Sequence, residues 1–198
     1  MTASITRSLR NASLLLWLLA CAISPAWASE SVYAKRAEAE LSDGQLAVST
    51  RFNISLTSGL NEALIQGVPL TFRLEFELTR PKWSSYYLNL RQWFGPHASI
   101  SFKLSYQSLT DRYRVTIGSF SNYYPSLEEA LRSIGAIQGW RVLEPGALSG
   151  SSTDQVSGRV RLVLDVSELP KPYQLNAFAS PDWTLSSNWI SLDMKGGN

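Results

Sequence analysis

The sequence predicts a mainly β protein: an antiparallel two-sheet sandwich of the immunoglobulin-like type, with two short helices. Three observations predict it. Apolar and polar residues alternate in several segments, the connections between these segments are short, and two short segments have a helical apolar face. Alternation indicates strands with one buried and one hydrated face, which is typical of antiparallel sheets. At least six such strands favour two sheets packed face to face.

The strands follow one another along most of the chain. The first is predicted from Val32 to Leu41, and Ser42-Asp43-Gly44 supplies a turn into the second. Residues 107–112 favour a hairpin loop between two of the later strands. The other alternating segments, in which apolar residues stand two positions apart, cover residues 46–56, 70–78, 100–106, 113–117 and 160–166.

The first predicted helix follows Thr57 and Ser58, and Gly67 and Pro69 mark its end. Its spacing of apolar residues indicates one buried face. That face consists of Leu60, Ala63 and Leu64.

The second predicted helix begins with the spacing of a capping box. Ser126 and Glu129 are three positions apart, so each side chain can satisfy a free backbone N–H of the first turn. Gly135 or Gly139 is expected to end the helix. Its buried face consists of Leu127, Ala130, Leu131 and Ile134.

The two helical segments share the pattern Leu-x-Glu-Ala-Leu, at residues 60–64 and 127–131, displaced by 67 positions. One interpretation is an internal duplication of a strand-helix-strand unit. The other is that this pattern is a common way to begin an amphipathic helix, because all of its residues favour helix. The second interpretation is favoured, and the first stays open.

The first 28 residues have the organisation of a signal peptide. Arg7 and Arg10 precede an apolar run over residues 14–23, and Ala26 and Ala28 form a small-residue cleavage site. The run is shorter than the roughly 20 residues of a membrane-spanning helix. We therefore expect a signal peptide over residues 1–28, a single domain over residues 29–198, and export to the periplasm.

The single cysteine, Cys21, leaves two mature forms open. The segment Leu18-Leu19-Ala20-Cys21 loosely resembles the site at which bacterial lipoproteins are cut and acylated. Cleavage after Ala28 is favoured over this lipid anchor, because Leu19 is unusual at its position in a lipoprotein site. Neither form contains a disulfide, so hydrophobic burial must stabilise the domain.

The charge of the mature chain argues against nucleic acid as a partner. The 18 lysines and arginines include Arg7 and Arg10 of the signal peptide, so the mature chain balances its 16 acidic residues. A nucleic-acid-binding domain normally carries a marked positive excess.

The sequence contains few groups that could carry catalysis. His97 is the only histidine, it follows Gly95 and Pro96 in a predicted loop, and no Gly-x-Ser-x-Gly motif accompanies it. We expect neither a metal nor a cofactor, since one histidine without a mature thiol offers too few ligands and no phosphate-binding loop is present. The sequence therefore predicts that the protein is not an enzyme.

Glu75 and Glu77 are the one carboxylate pair that could support acid/base chemistry. Two residues apart on a strand, their side chains would lie about 7 Å from each other, a separation that glycoside hydrolases use. They share the polar face of their strand with Arg73. A solvated strand face is therefore favoured over a catalytic pair.

Aromatic residues crowd the connection over residues 81–97. One interpretation is a buried lid over the open end of the sandwich; the other is a contact surface for a protein, a glycan or a lipid. The candidate contact residues are Trp83, Tyr86, Tyr87, Trp93 and Phe94.

The chain resembles a family of exported proteobacterial proteins catalogued as domain of unknown function 4390. The resemblance covers nearly the whole mature chain. It rests on residues 67–70, 75–83, 104–106, 113–115, 139–142 and 169–177, together with Trp183 and Trp189.

The resemblance implies a location and a partner class, and no catalytic residue. The family's genes resemble frequent neighbours of a membrane histidine kinase and a response regulator similar to the nitrogen-regulation pair. This implies a periplasmic accessory to envelope sensing, with a membrane histidine kinase as candidate partner. Within its motifs, Pro170 and Pro172 are expected to end a strand. We expect a non-enzymatic interaction module that contacts an envelope protein; the alternative is a glycan- or lipid-binding module that uses the aromatic loop.

Overall fold

The computed structural model describes residues 31–42, 44–80, 97–150, 152–153 and 156–196. The predicted signal peptide, Cys21 and the five aromatic contact residues between Trp83 and Phe94 lie outside the described residues. In the described part, no helix is both long and apolar enough to cross a membrane.

The described residues form ten strands, three α-helices and two short 3-10 helices. The strands are β1 (Val32–Ser42), β2 (Gln45–Ile54), β3 (Leu70–Arg80), β4 (His97–Gln107), β5 (Arg112–Ile117), β6 (Phe120–Tyr124), β7 (Ala136–Arg141), β8 (Ser157–Leu164), β9 (Ile190–Ser191) and β10 (Asp193–Gly196). The helices are α1 (Ser58–Ile65), α2 (Leu127–Gly135) and α3 (Lys171–Ala179), and the 3-10 helices are Val166–Glu168 and Pro181–Trp183.

The strands form two sheets in a sandwich-like arrangement, as predicted. Sheet I has the order β10-β1-β2-β7, and sheet II has the order β6-β5-β4-β3-β8-β9. An immunoglobulin-like topology is not confirmed, because four sequential strands of sheet II form a meander instead of the ABED and CFG arrangement. The prediction of purely antiparallel sheets is wrong at one position, where β10 pairs with β1 in parallel.

The core contains the inward-facing residues of both sheets in one hydrophobic cluster. In β3 the alternation of apolar and polar residues matches the alternation of burial. Its apolar residues are buried, and Arg73 and Glu75 between them are partly exposed. Close packing of such residues in a dry interior is the main favourable contribution to stability. The largest fully buried side chains are Phe72, Phe76, Phe102, Leu46, Leu60, Leu64, Leu70, Leu74, Leu104, Ile134, Leu162 and Leu185.

Both predicted helices are present, and each connects one sheet to the other. Thr57 caps α1 by accepting a hydrogen bond from the Leu60 N–H, and Ser126 caps α2 by accepting one from the Glu129 N–H at 3.2 Å. Leu60 is the third residue of α1, whereas Leu127 is the first residue of α2. The shared pattern therefore occupies different positions in the two helices.

The helix α2 ends at Gly135, where its backbone passes very close to strand β2. A Cβ atom at this glycine would lie 2.3 Å from the carbonyl oxygen of Phe52, so a larger residue does not fit. The other predicted terminator, Gly139, lies instead within β7. There its φ of +63° accompanies an irregularity in the pairing with β2.

The third helix corrects the prediction for the two prolines. Strand β8 ends at Leu164, before either proline, and α3 begins at Lys171. Pro170 occupies the N-cap position and Pro172 lies in the first turn of α3. Proline is compatible with these positions, because the N–H groups of the first helical turn have no intrahelical partner. The prolines therefore begin a helix and do not end a strand.

Candidate functional site

The two carboxylates singled out by the sequence lie in ion pairs on the outer face of sheet II. The Glu75 carboxylate accepts from Arg161 Nε at 2.7 Å, and Glu77 accepts from Arg159 at 2.6 Å. Each pair joins adjacent strands, since Glu75 lies opposite Arg161 and Glu77 opposite Arg159 across β3 and β8. The carboxylates thus contribute to a cross-strand ladder of charges.

Arg73 extends this ladder toward the end of the sheet. Its guanidinium lies 3.2 Å from Glu75 and 3.0 Å from Asp165, whose carboxylate also caps the following 3-10 helix through the Ser167 N–H. We call this group the ion-pair ladder. It contains three cations and three anions, Arg73, Arg159, Arg161, Glu75, Glu77 and Asp165, and is therefore neutral.

The Trp189 ring covers two cations of the ion-pair ladder. The guanidinium carbons of Arg159 and Arg161 lie 4.7 Å and 4.5 Å from the ring centre. A guanidinium at this distance from an indole face is attracted by the ring quadrupole. Arg159 and Arg161 thereby contact both a carboxylate of the neighbouring strand and an aromatic ring.

His97 is the first residue of β4 and not a loop residue. It lies exposed, directly opposite Glu77 in the pairing of β3 with β4. In the described part of the chain, no three histidine, cysteine, aspartate or glutamate side chains are grouped closely enough to hold a metal ion.

Beyond the ion-pair ladder, the described charged residues on the outer face of sheet II are all basic. The outward-facing positions of β5, β6 and the paired half of β4 carry Lys103, Arg112 and Arg114 and no acidic residue. None of these three cations forms an ion pair with another described residue. Arg114 donates to the Ser105 hydroxyl, at 3.3 Å. We call these three residues the basic face.

The strand β6 borders the basic face and forms one edge of sheet II. It follows β5 through the two-residue turn Gly118-Ser119, in which Gly118 has a φ of +56°. In such a hairpin the residues flanking the turn form a hydrogen-bonded pair, and hydrogen-bonded pairs then alternate along the ladder. Phe120, Asn122 and Tyr124 therefore bond to β5.

The alternate residues of β6 direct their backbone groups away from the sheet. Ser121 lies opposite Thr116, and Tyr123 lies opposite Arg114, in non-hydrogen-bonded pairs. The N–H and C=O groups of Ser121 and Tyr123 therefore point outward. Ser121 also shares a hydroxyl hydrogen bond of 2.8 Å with Thr116, on the outer face. We call the outward side of β6 the free edge.

Among the four edge strands of the described sheets, β6 has the least protection against pairing with another chain. The strand β9 has two residues, β10 has four and carries Asp193 and Lys195, and β7 is interrupted at Gly139. Short length, charge and bulges are the usual devices that prevent edge pairing. By contrast, β6 has five residues, with no charge, no proline and no bulge.

Exposed aromatic side chains accompany the free edge. Phe120 is 80% exposed and Tyr123 is 54% exposed, and they lie on opposite faces of β6. Aromatic residues contribute much of the energy of protein interfaces when a partner covers them. The free edge therefore combines unpaired backbone groups with side chains suited to contact.

A polar groove of about 280 Å³ lies on the outer face of sheet I. At one side Glu38 interacts with Arg36 and Lys195, the latter at 2.8 Å. Hydrogen bonds from Arg36 and then Lys195 lower the pKa of Glu38 to about 2. Arg51 also lines the groove and lies opposite Arg36 across β1 and β2. Of the two acidic residues that line the groove, Glu38 is thus already paired within the protein.

The comparison with protein families covers most of the chain. The model of a family described as Domain of unknown function (DUF4390) matches residues 29–193. The chain belongs to this family. No curated protein and no solved structure shows significant similarity to it.

Several residues of the segments that carried the DUF4390 resemblance contribute to packing or to turns. Tyr173 of α3 packs against Trp183 with ring centres 5.2 Å apart, and Trp189 covers the ion-pair ladder. Gly67, with a φ of +91°, lies in the turn between α1 and β3. These residues shape the DUF4390 fold, and none of them belongs to the free edge.

The sequence interpretation did not identify β6 as a strand. Its residues lack the alternation of apolar and polar types, because most of its side chains are exposed on both faces. One sequence feature marks the region: residues 115–127 contain no charged residue, although a charged residue stands on either side, at Arg114 and Glu128.

Proposed function

We propose that this DUF4390 protein is an exported, non-enzymatic interaction module of the periplasm that binds an extended segment of an envelope protein along the free edge of β6. The observation that carries the proposal is the free edge itself, a five-residue edge strand without charge, proline or bulge.

Strand addition uses groups that β6 already presents. An incoming strand can donate to and accept from the outward backbone groups of Ser121 and Tyr123, which supplies affinity independent of sequence. Phe120 and Tyr123 then contact side chains of the incoming strand on its two faces. A partner segment of about four to five residues matches the length of β6.

The location in the periplasm rests on the amino-terminal sequence. Arg7 and Arg10, the apolar run over residues 14–23 and the small residues before Ser29 are typical of an exported protein. We also propose an accessory role beside a two-component system, which the family resemblance implies, and a membrane histidine kinase with an extended periplasmic segment is the candidate partner.

The ion pairs of the two candidate carboxylates support a non-enzymatic role. Glu75 and Glu77 accept hydrogen bonds from Arg161 and Arg159, and their side chains are 22% and 26% exposed. These carboxylates are better suited to joining β3 to β8.

Site-specific photo-crosslinking in cells tests the proposal. A photoreactive phenylalanine analogue placed at Tyr123 should give a discrete adduct with an envelope protein. The matched position is Tyr33 of β1, which is 41% exposed on sheet I and should give no such adduct.

A second substitution connects that adduct to strand pairing. Ser121→Pro removes an outward N–H and leaves the bonds of β6 to β5 intact, since proline is tolerated where the N–H faces solvent. Ser121→Ala removes only the hydroxyl that contacts Thr116. The adduct should disappear with proline and persist with alanine. An adduct that survives both substitutions, or appears equally from Tyr33, would contradict the proposal.

A further inference from the structure

We infer that the strand received by β6 is acidic on one face and apolar on the other. This inference rests on the proposed function and names the chemistry of its partner. The observation that carries it is the basic face of Lys103, Arg112 and Arg114, which adjoins the free edge and has no ion-pair partner among the described residues.

The basic face is a local property of sheet II. On the strands β3 and β8 every arginine of the ion-pair ladder lies beside a carboxylate. On β4 and β5 the cross-strand neighbours of Lys103, Arg112 and Arg114 are Thr116, Gln107 and Ser105. The outer face of β4 and β5, next to the free edge, is therefore positive, whereas the protein as a whole is nearly neutral.

The distances allow this charge to act on an added strand. Neighbouring strands lie about 4.8 Å apart, so a strand paired with β6 is roughly 10 Å from the backbone of β5. That separation is about one Debye length at physiological salt, before the length of the side chains is counted. Arg114, opposite Tyr123, is the cation in line with the middle of the free edge.

The two faces of the added strand meet different surroundings. On the outer face, next to Ser121 and Tyr123, its side chains approach the basic face. On the other face its side chains approach Phe120, whose ring is 80% exposed. Since strand side chains alternate between faces, the segment that fits best alternates acidic and apolar residues.

A second copy of this chain fits the free edge less well. Antiparallel pairing of two β6 strands about a two-fold axis joins the sheets with both outer faces on the same side. The two basic faces would then form one surface with six cations and no acid among them. Like charges brought together oppose association, so an acidic partner is favoured over self-pairing.

Synthetic peptides with labelled termini test the inference on the mature chain. One peptide alternates valine and glutamate, and a matched peptide of equal length alternates valine and lysine. Fluorescence anisotropy should show roughly tenfold tighter binding of the acidic peptide, because a few exposed charge pairs each contribute a small part of the affinity. Added salt should weaken that binding.

Charge variants locate the source of the preference. Arg112→Gln combined with Arg114→Gln should remove most of the difference between the peptides. The control, Lys35→Gln combined with Arg51→Gln, removes two exposed cations from sheet I and should leave the difference unchanged. Equal binding of both peptides to the unmodified chain would overturn the acidic inference.

The same experiment distinguishes failure of the inference from failure of the proposed function. Both peptides binding equally, and both lost with Ser121→Pro, would keep strand addition and refute the charge preference. Binding that is indifferent to Ser121→Pro would refute strand addition. Vesicles of anionic lipid are the third probe: if they bind through Arg112 and Arg114 while the acidic peptide does not, the basic face is a membrane contact and the inference is wrong.

Discussion

The guanidinium of Arg161 lies 4.5 Å from the ring centre of Trp189 while it donates a 2.7 Å hydrogen bond to Glu75. The indole thus covers a charge pair that joins strands β3 and β8. Because Arg159 lies under the same ring, one aromatic side chain stabilises two rungs of the ion-pair ladder. The charged residues on the outer face of sheet II thus contribute to the pairing of β3 with β8.

We expect Trp189→Ala to lower the free energy of unfolding by about 2 kcal/mol, from lost packing and two lost cation–π contacts. Urea denaturation of the mature chain measures the change. Trp189→Phe retains an aromatic face and should cost less than half as much. Equal loss in both variants would show that the ring contacts the arginines without stabilising them.

The close passage of α2 over β2 predicts the effect of a single methyl group. Gly135→Ala places a Cβ 2.3 Å from the Phe52 carbonyl oxygen, so the helix must shift, at a cost of about 1–3 kcal/mol. The control is Gly59→Ala in α1, where the nearest atom is a Trp183 side-chain carbon at 3.5 Å. This control should be neutral or slightly stabilising, because alanine favours helix. The midpoint temperature of thermal unfolding should therefore fall for Gly135→Ala and should stay the same or rise slightly for Gly59→Ala.

The strands were predictable where one face is buried and the other hydrated. The alternation of β3 predicts its inward Phe72, Leu74 and Phe76, and the observed strand differs from the predicted one only at its end. The capping residues Thr57 and Ser126 were predictable for a similar reason, since a short local spacing determines them.

The elements that sequence patterns missed depend on distant partners. Strand β10 has four residues and exists because it pairs in parallel with β1, at the other end of the chain. Strand β6 is exposed and lacks alternation, although it carries the candidate site. In α3, Pro170 and Pro172 suggested a strand end, because proline also begins helices and local sequence does not separate the two cases.

The acid dependence of stability should report the Glu38 ion pairs. Arg36, and then Lys195, lower the pKa of Glu38 from 4.5 to about 2 in the folded protein. A carboxyl group with a depressed folded pKa contributes stability above its unfolded pKa and loses it as the pH falls through the folded pKa. The stabilisation by Glu38 is therefore present above about pH 4.5 and lost toward pH 2.

Glu38→Gln should remove that contribution. Urea denaturation over this range should show a difference between the unmodified chain and the variant near neutral pH and no difference near pH 2. Lys195→Gln, which removes the weaker partner, should reduce the difference in part. A gap that stays constant down to the lowest pH would show that the ion pairs do not cause it.

The amino terminus of the protein in cells tests the proposed export and its two proposed forms. Mass spectrometry of the protein isolated from cell envelopes should find a chain that begins at Ser29, since Ala26 and Ala28 form the better cleavage site. A chain that begins at an acylated Cys21 would establish the lipid-anchored form instead. A full-length chain in the cytoplasm would contradict export altogether.

The central claim is that Ser121 and Tyr123 direct their backbone N–H groups away from the protein, and amide hydrogen exchange measured by NMR tests it most directly. We expect the amides of Asn122 and Tyr124, which bond to β5, to exchange slowly, and those of Ser121 and Tyr123 between them to exchange fast. Binding of the acidic peptide should then slow the two fast amides. Slow exchange at Ser121 and Tyr123 in the free protein would show that the edge is already paired, and would contradict the account.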